Sequence, residues 1–401
     1  MNDRLFKPAF LAVMLSCGVV GDAAAGLMAP TTLTIVGFTG GPDPGTSIES
    51  PRGIQVQDGY AYVTDEGLGA LDVIDIHNPG SPVLVTSDTG VCNGAKGIAV
   101  QGQYAFLGCG SDNAVKIFNI SNPVSPSLVA TIPGPAPGTT LKDVWTVQVN
   151  GNHLYALSGN SLAIVDISNP ASPVFVSNTI LPSGGDIPRD IAFRGNDAFI
   201  LTNNGLYIYD ISNPADPIAL GSTQGPVPGT TLEQARSIQL VGNYALIAVN
   251  LQQAVATIDI SNPADPTYIG SFDGPDPGTT FDGITDIWVS GDVAYTANDV
   301  AYTVSVLDIS DPTDISWIDD VPRSTTDLAG VQQFASDGGD LFYITHDDGG
   351  VGALAGNGEF DLPFPQPELV SDVSEPTTLA LFGTGLLCLF GFGMMRRGAR
   401  T

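Results

Sequence analysis

Short apolar runs alternate with turns rich in Gly, Pro, Asn and Asp, and one such unit recurs through the middle of the chain. In residues 162–173 (LAIVDISNPASP), an apolar run ends at Asp166, an Asn-Pro turn follows, and Pro173 begins the next apolar run. Four close copies keep this order, at residues 71–82, 115–126, 206–217 and 255–266, and a weaker copy at residues 304–315 has Asp-Pro in place of Asn-Pro and ends in Ile315. Strand-like repeats spaced by roughly 40–50 residues are typical of solenoids and propellers.

A second landmark, a small apolar residue followed by a large one, predicts the number of repeats. It follows a Gly-containing turn at Ala61-Tyr62, Ala105-Phe106, Leu154-Tyr155, Ala198-Phe199, Ala245-Leu246, Ala294-Tyr295 and Leu341-Phe342. This pattern indicates a hairpin of strands a and b, and the recurring apolar unit supplies strands c and d. Four strands per repeat are typical of a propeller blade. We therefore predict an all-β fold, a single seven-bladed β-propeller of four-stranded blades over residues 31–360, with six or eight blades as the neighbouring alternatives.

The seventh repeat lacks a fourth strand, because its third strand is expected at residues 351–356 and a Pro-rich segment follows. Residues 31–46, at the other end, are similar to strand d and its following loop in residues 266–279. We expect this N-terminal strand to complete blade seven and close the ring, since an open ring would leave an unpaired, aggregation-prone edge.

The chain ends carry targeting patterns. Residues 1–25 predict a signal peptide, with basic Arg4 and Lys7, an apolar core and small residues at 23–25; a lipoprotein signal around Cys17 is the alternative. A Pro-rich acidic linker follows the propeller at residues 361–373. Residues 377–395 are apolar and precede an Arg-containing tail, which predicts a C-terminal transmembrane helix.

Two segments resemble known families. Residues 374–401 resemble the PEP-CTERM sorting signal of exopolysaccharide-producing Gram-negative bacteria, although the tripeptide is Ser374-Glu375-Pro376 rather than Pro-Glu-Pro. The repeats, read as LAIVDIS in one copy, resemble the LVIVD repeat of bacterial and archaeal surface proteins. These resemblances imply export through the secretory pathway, transient anchoring in the inner membrane, recognition by an exosortase-type sorting enzyme, and a final place at the cell surface or outside it. The LVIVD family implies no common activity and no catalytic residues.

The charge balance narrows the choice of partners. The sequence has 42 acidic and 13 basic residues, for a formal net charge of −29. Such a surface repels nucleic acid, so we expect no nucleic-acid partner.

Four of the few basic residues share one register, nine residues before the small–large pair. In chain order that position holds Arg52, Lys96, Trp145, Arg189, Arg236, Thr285 and Gln332, which we call the ring positions. In a propeller these positions surround one mouth of the central channel, so we expect a ring that binds a carboxylate, sulfate or phosphate group. Stiff Gly-Pro-x-Pro-Gly loops are predicted on the same face. The alternative is structural: the cations pair with Asp143, Asp190 or Asp286 and join neighbouring blades.

Other candidate chemistry is sparse. Asp166 and its equivalents are expected to accept backbone N–H groups and fix the turn. Asp43, Asp276, Asp347 and Asp348 are calcium-type ligands without an Asp-x-Asp-x-Asp-Gly loop, and the three histidines are not at zinc-ligand spacing. We therefore expect no cofactor, calcium being the one metal left open. Cys92 and Cys109 are predicted to form a disulfide after export.

These patterns favour a non-enzymatic surface propeller that binds extracellular polysaccharide or a surface protein, in adhesion or in the extracellular matrix. The alternative is a secreted hydrolase or lyase that acts on acidic polysaccharide at the channel mouth. The two differ in one requirement: an enzyme needs acid–base residues at the mouth that are not repeated in every blade.

Overall fold

The computed structural model describes residues 33–40, 48–134, 141–182, 186–225, 232–275, 281–321, 328, 330–336, 341–345 and 350–356. Within these residues, 28 β-strands form seven four-stranded sheets, each of them a consecutive antiparallel meander apart from one that uses both chain ends. The prediction of an all-β, seven-bladed propeller with four-stranded blades is confirmed.

The strands are numbered along the chain. Blade one contains β2 (Pro51–Gln57), β3 (Tyr60–Asp65), β4 (Ala70–Asp75) and β5 (Val83–Asp88). Blade two contains β6 (Ala95–Gln101), β7 (Tyr104–Cys109), β8 (Ala114–Asn119) and β9 (Ser127–Pro133). Blade three contains β10 (Val144–Asn150), β11 (His153–Ser158), β12 (Ser161–Asp166) and β13 (Val174–Ile180). Blade four contains β14 (Pro188–Arg194), β15 (Asp197–Thr202), β16 (Gly205–Asp210) and β17 (Ile218–Thr223).

Blade five contains β18 (Ala235–Val241), β19 (Tyr244–Val249), β20 (Ala254–Asp259) and β21 (Thr267–Phe272). Blade six contains β22 (Ile284–Ser290), β23 (Val293–Asn298), β24 (Thr303–Asp308) and β25 (Ser316–Asp320). Blade seven contains β26 (Val331–Ser336), β27 (Leu341–Thr345) and β28 (Gly350–Gly356), beside β1 (Leu33–Gly40).

The first strands of the blades surround the central axis. Each contacts the first strand of the next blade, in the order β2, β6, β10, β14, β18, β22 and β26, and β26 contacts β2. The ring of blades is therefore closed through its innermost strands.

The hydrophobic core lies between the blades. Phe106 of blade two packs with Leu154 of blade three, and Phe342 of blade seven packs with Ile54 of blade one. Clusters of this kind fill all seven blade interfaces of the described residues. Because each blade has a neighbour on both faces, its middle strands are buried on both sides and read as unbroken apolar runs.

The recurring acidic or amide residue at the end of strand c caps the turn that follows. In the six copies its side-chain oxygen accepts the backbone N–H two residues later, at 2.8–3.0 Å, in the pairs Asp75–His77, Asn119–Ser121, Asp166–Ser168, Asp210–Ser212, Asp259–Ser261 and Asp308–Ser310. The structural role predicted for this residue is confirmed.

In blade seven, the first strand of the described residues pairs with the last. β1 pairs antiparallel with β28, from Leu33 opposite Gly356 to Gly40 opposite Gly350. The predicted third strand of this blade, 351–356, differs from β28 by a single residue. Residues 31–32 and 41–46 of the predicted closing segment lie outside the described residues.

Cys92 and Cys109 form a disulfide in blade two. Cys92 precedes β6 and Cys109 ends β7, and both side chains are fully buried. The bond therefore ties the loop that enters the blade to the end of its second strand.

The predicted targeting segments lie outside the described residues. They are the signal peptide 1–25, the linker 361–373 and the sorting segment 374–401 with its span 377–395. Among the residues that are described, none belongs to a helix long and apolar enough to cross a membrane.

Candidate functional site

A cavity of about 760 Å³ lies at one mouth of the central channel. All seven ring positions line it: Arg52, Lys96, Trp145, Arg189, Arg236, Thr285 and Gln332. The residues at one position of the sequence repeat therefore all line the same cavity, which we call the chamber.

A β-bulge in each first strand aims the ring residue at the channel. The pairing between β10 and β11 skips Trp145, because Val144 pairs with Ser158 and Thr146 with Leu157. The same register shift spans the ring position in the other six blades. A bulged residue is freed from the pleat, so its side chain can be redirected.

The backbone just before the bulge often has a positive φ. Two residues before Trp145 and Arg236, Asp143 and Gln234 have φ of 52° and 58°. Blades two, six and seven use glycine at this point, where a left-handed conformation carries no steric cost. This sharp turn brings the chain from the loop into the innermost strand.

Two of the four ring cations have carboxylate partners. Arg52 Nε lies 2.7 Å from Glu66 Oε2, within blade one. Lys96 Nζ lies 2.8 Å from Asp143 Oδ1, which belongs to the next blade. The predicted structural pairing between blades therefore holds for Lys96.

The other two cations differ. Arg189 Nε donates to Asn203 Oδ1 at 2.6 Å, and burial together with the charge of Arg236 lowers the Arg189 pKa to about 10. Arg236 makes no ion pair with the described residues, and its buried Nε has no hydrogen-bond partner among them. Burial and the charge of Arg52 lower the Arg236 pKa. With a pKa of about 10, the Arg189 guanidinium remains charged at neutral pH.

Trp145 lies among these cations. Lys96 Nζ is 3.7 Å and Arg189 Cζ is 4.5 Å from the ring centroid, distances typical of cation–π contacts. The indole N–H donates to Asp143 Oδ2 at 3.1 Å. Trp145 therefore positions the cations of blades two and four.

Asp190 and Asp286, expected as partners for the cations, instead join blades through backbone groups. Asp190 Oδ2 accepts the N–H of Ile238 at 3.0 Å, and Asp286 Oδ2 accepts the N–H of Phe334 at 2.8 Å. Gln333 Oε1 accepts the N–H of Ile54 in the same way, across the contact between blades seven and one. The predicted pairing of arginine with Asp190 or Asp286 is thus not observed, because each of these carboxylates is directed toward the first strand of the next blade and accepts a backbone N–H there.

The position after the ring residue, which sequence reasoning missed, holds these bridging groups. In blades one and two it is glycine, and a Cβ on Gly97 would lie 2.8 Å from the backbone of blade three. Ser237 lies within reach of both carboxyls, and its single hydroxyl hydrogen can be donated to either Asp190 or Asp286. Burial raises the pKa of Asp190 to about 6 and that of Asp286 to about 7. The sequence signal was available: this position is Gly, Gly, Thr, Asp, Ser, Asp and Gln around the ring.

The cavity is also more acidic than the ring positions indicate. Glu66, Asp190, Asp282, Asp286 and Asp299 line it beside the four cations. Asp282 accepts a hydrogen bond from Gln253 at 2.6 Å, and Asp299 accepts one from Gln332 at 3.4 Å. The ring of positive charge expected from the sequence is therefore accompanied by carboxylates: the cations come from blades one, two, four and five, and three of the five carboxylates come from blade six.

The remaining candidates lie mostly outside the described residues. They include Asp43, Asp276, Asp347, Asp348 and the greater part of the Gly-Pro-x-Pro-Gly loops. The described residues contain no group of three or more His, Cys, Asp or Glu side chains that could hold a metal ion.

The fold and the bulge ring define a seven-bladed β-propeller with a polar, charged chamber at its mouth. The LVIVD repeat model matches residues 50–89, 94–132, 142–179, 185–224, 233–274 and 284–321, which together exceed half of the chain. The chain belongs to the LVIVD repeat family. A PEP-CTERM protein-sorting motif matches residues 372–397, which marks an exported protein sorted to the surface and implies recognition by exosortase.

Solved structures share the architecture at low identity. A virginiamycin B lyase from Staphylococcus aureus is 14% identical over 81% of this chain and 99% of its own, with a TM-score of 0.59. The WD40 β-propeller domain of Doa1 is 9% identical over 80% and 97%, with a TM-score of 0.59. The computationally designed Ika8 protein is 13% identical over 80% and 99%, with a TM-score of 0.55. No curated protein matches the chain. Such similarity extends to the fold alone.

Proposed function

We propose that this protein is an exported, surface-sorted and non-enzymatic propeller that binds an acidic extracellular polysaccharide at its channel mouth. The observation that carries the proposal is the convergence of seven bulged residues, four of them cations, on one chamber. In a protein with a net charge of −29, the neighbouring arginines of blades four and five, in a chamber that Asp282 and Asp299 also line, supply a local positive charge that favours an anionic group at that point. Adhesion or a role in the extracellular matrix would follow from such binding.

The sorting motif supports the same proposal from another direction. A protein carried to the surface of a polysaccharide-producing cell meets acidic polymer at high local concentration. The rigid, closed ring also keeps the chamber formed before binding, which reduces the entropy cost of association.

A glycan array with the full-length protein tests the proposal. We expect acidic glycans to be retained and neutral glycans to be released. The double charge reversal Arg189→Glu and Arg236→Glu should abolish retention. Retention that is equal for acidic and neutral glycans, or unchanged in the double variant, would overturn the proposal.

A hydrolase or lyase acting on acidic polysaccharide is the second candidate. It is favoured by Glu66, Asp282 and Asp299, carboxylates at the chamber that are not repeated in every blade. Against it, Asp190 and Asp286 are engaged by backbone N–H groups, and the residues described at the chamber include no histidine. Incubation with acidic polysaccharides and measurement of new reducing ends or unsaturated products distinguishes the two candidates.

A further inference from the structure

The four cations of the chamber are not equivalent. Arg52 and Lys96 each have a carboxylate within 2.8 Å. Arg189 has only the amide of Asn203 as a hydrogen-bond partner for its Nε, and Arg236 has no ion-pair partner among the described residues. Asp143 and Asp299 act on Arg189 and Arg236 as counter-charges, but neither arginine forms an ion pair with the described residues. An incoming anion therefore meets two cations that are held in ion pairs and two arginines that are not.

The two arginines without an ion pair, Arg189 and Arg236, are neighbours. They occupy the same bulge position of β14 and β18, which lie side by side at the axis. The charge of Arg236 is one of the causes that lower the Arg189 pKa, so the two guanidiniums repel each other. An oxyanion between them would remove this repulsion and accept charge-assisted hydrogen bonds from both, in the planar geometry that arginine provides.

We infer that Arg189 and Arg236 form the anion seat of the chamber and hold one carboxylate or sulfate group of an acidic sugar. The inference rests on the proposed function, since it names the contact through which the glycan would bind. Arg52 and Lys96 then serve the architecture of the mouth, because each is held in an ion pair, with Glu66 and Asp143 respectively.

The surroundings of the seat favour a sugar over a bare inorganic anion. Leu251 and Val300 line the chamber and are 51% and 56% exposed, so they offer apolar surface to the C–H groups of a sugar ring. Asp282 and Asp299, in blade six, accept hydrogen bonds from amides and can accept them from sugar hydroxyls. A ligand with one anionic group and several hydroxyls matches both the arginines and these carboxylates.

Calorimetric titration of the full-length protein in detergent tests the seat. The probes are oligogalacturonate and a sulfated dextran oligosaccharide, with uncharged dextran of the same length and inorganic sulfate as references. We expect Arg189→Gln and Arg236→Gln each to weaken both acidic probes about tenfold or more. The Arg236→Gln variant should melt no lower than the wild type, because it removes a buried charge without a partner.

Three matched variants separate the seat from general electrostatics. Arg194→Gln changes the same charge at the far end of β14, where Arg194 Nη2 donates to Ile260 O at 2.9 Å, and should not alter binding. The pairs Arg52→Gln with Glu66→Gln, and Lys116→Gln with Asp112→Asn, remove a cation together with its partner and should change affinity less than about twofold.

Each outcome has a distinct meaning. Equal losses in the pair variants and in the Arg189 and Arg236 variants would overturn the seat and leave the proposed function standing. Failure of the wild type to bind either acidic probe would overturn both. Leu251→Ser should weaken the oligosaccharides but not inorganic sulfate; an equal effect on both would overturn the assignment of a sugar.

Discussion

Leu33 of β1 lies directly opposite Gly356 of β28 in the antiparallel ladder of blade seven. In the same sheet, Leu354 pairs with Leu341, and Leu341 with Ser336 at the end of β26. Gln332, which lines the cavity, lies near the beginning of β26, at the opposite end of the strands. Leu33, which begins β1, and Gly356, which ends β28, therefore both lie on the face of the propeller opposite the channel mouth.

Removal of β1 should destabilise the whole ring. We expect deletion of residues 26–40 to lower the melting temperature by several degrees and to promote self-association, because the edge of β28 would be exposed. Calorimetry and light scattering of the deletion variant and the wild type measure the two effects. Deletion of residues 26–32 alone is the matched control and should leave both unchanged; a 26–40 deletion that melts like the wild type would contradict closure by this strand.

The fold was predictable because its determinants are local and copied. The capped turn after Asp166 and the small–large pair recur at fixed positions of each repeat, and each of them marks one hairpin. The chamber was predictable in part, since the ring positions keep their register. Its charge balance was not, because Asp282 and Asp299 belong to segments that vary between blades. The direction of Asp190 was not predictable either, because the bulge at Arg189 interrupts the regular alternation of side chains along the strand.

Loss of the disulfide should cost measurable stability. Cys92 and Cys109 are separated by 17 residues in the sequence, and a loop of this length corresponds to about 3 kcal/mol of chain entropy. We expect the double Cys→Ser variant to unfold at lower denaturant concentration. Reducing agent should shift the wild type in the same direction and leave the variant unaffected. Free thiols at both positions in non-reduced peptides would refute the pairing.

Asp72 should make the stability of blade one pH-dependent. The side chain is fully buried in β4, and in the strand ladder it lies directly opposite Ser87 of β5, whose hydroxyl can donate a hydrogen bond to the carboxylate. Burial, with a smaller contribution from the charge of Asp65, raises the Asp72 pKa from 3.8 to about 7, while Ser87 opposes the shift. The pKa of Asp72 is therefore higher in the folded protein than in the unfolded chain, so protonation of Asp72 stabilises the fold. This stabilisation is complete below pH 3.8 and is lost as the pH rises through 7.

Asp72→Asn should therefore stabilise the protein at pH 8, by up to about 4 kcal/mol at about 1.4 kcal/mol per pKa unit, and have much less effect at pH 4. Thermal melts of the variant and the wild type across this range measure the difference. Asp75→Asn, in the same strand, is the opposite control: the N–H of His77 lowers the Asp75 pKa, so this variant should lose stability at neutral pH. A stabilisation by Asp72→Asn that is equal at pH 4 and pH 8 would contradict burial of the charge.

Affinity for a sulfated glycan should rise as pH falls from 8 to 5. Asp190 and Asp286 adjoin the anion seat, and burial raises their pKa values to about 6 and about 7. Both carboxylates are ionised at pH 8 and become neutral on acidification, while Arg189, with a pKa of about 10, stays charged. Loss of two negative charges beside the seat should strengthen binding on the order of tenfold. Titrations with sulfated dextran, whose own charge does not change in this range, measure the effect. The Asp190→Asn and Asp286→Asn double variant should bind tightly at both pH values, since each amide keeps an oxygen for the N–H of the next blade. A wild-type profile that is flat, or a slope that persists in the double variant, would show that these carboxyls do not control the seat.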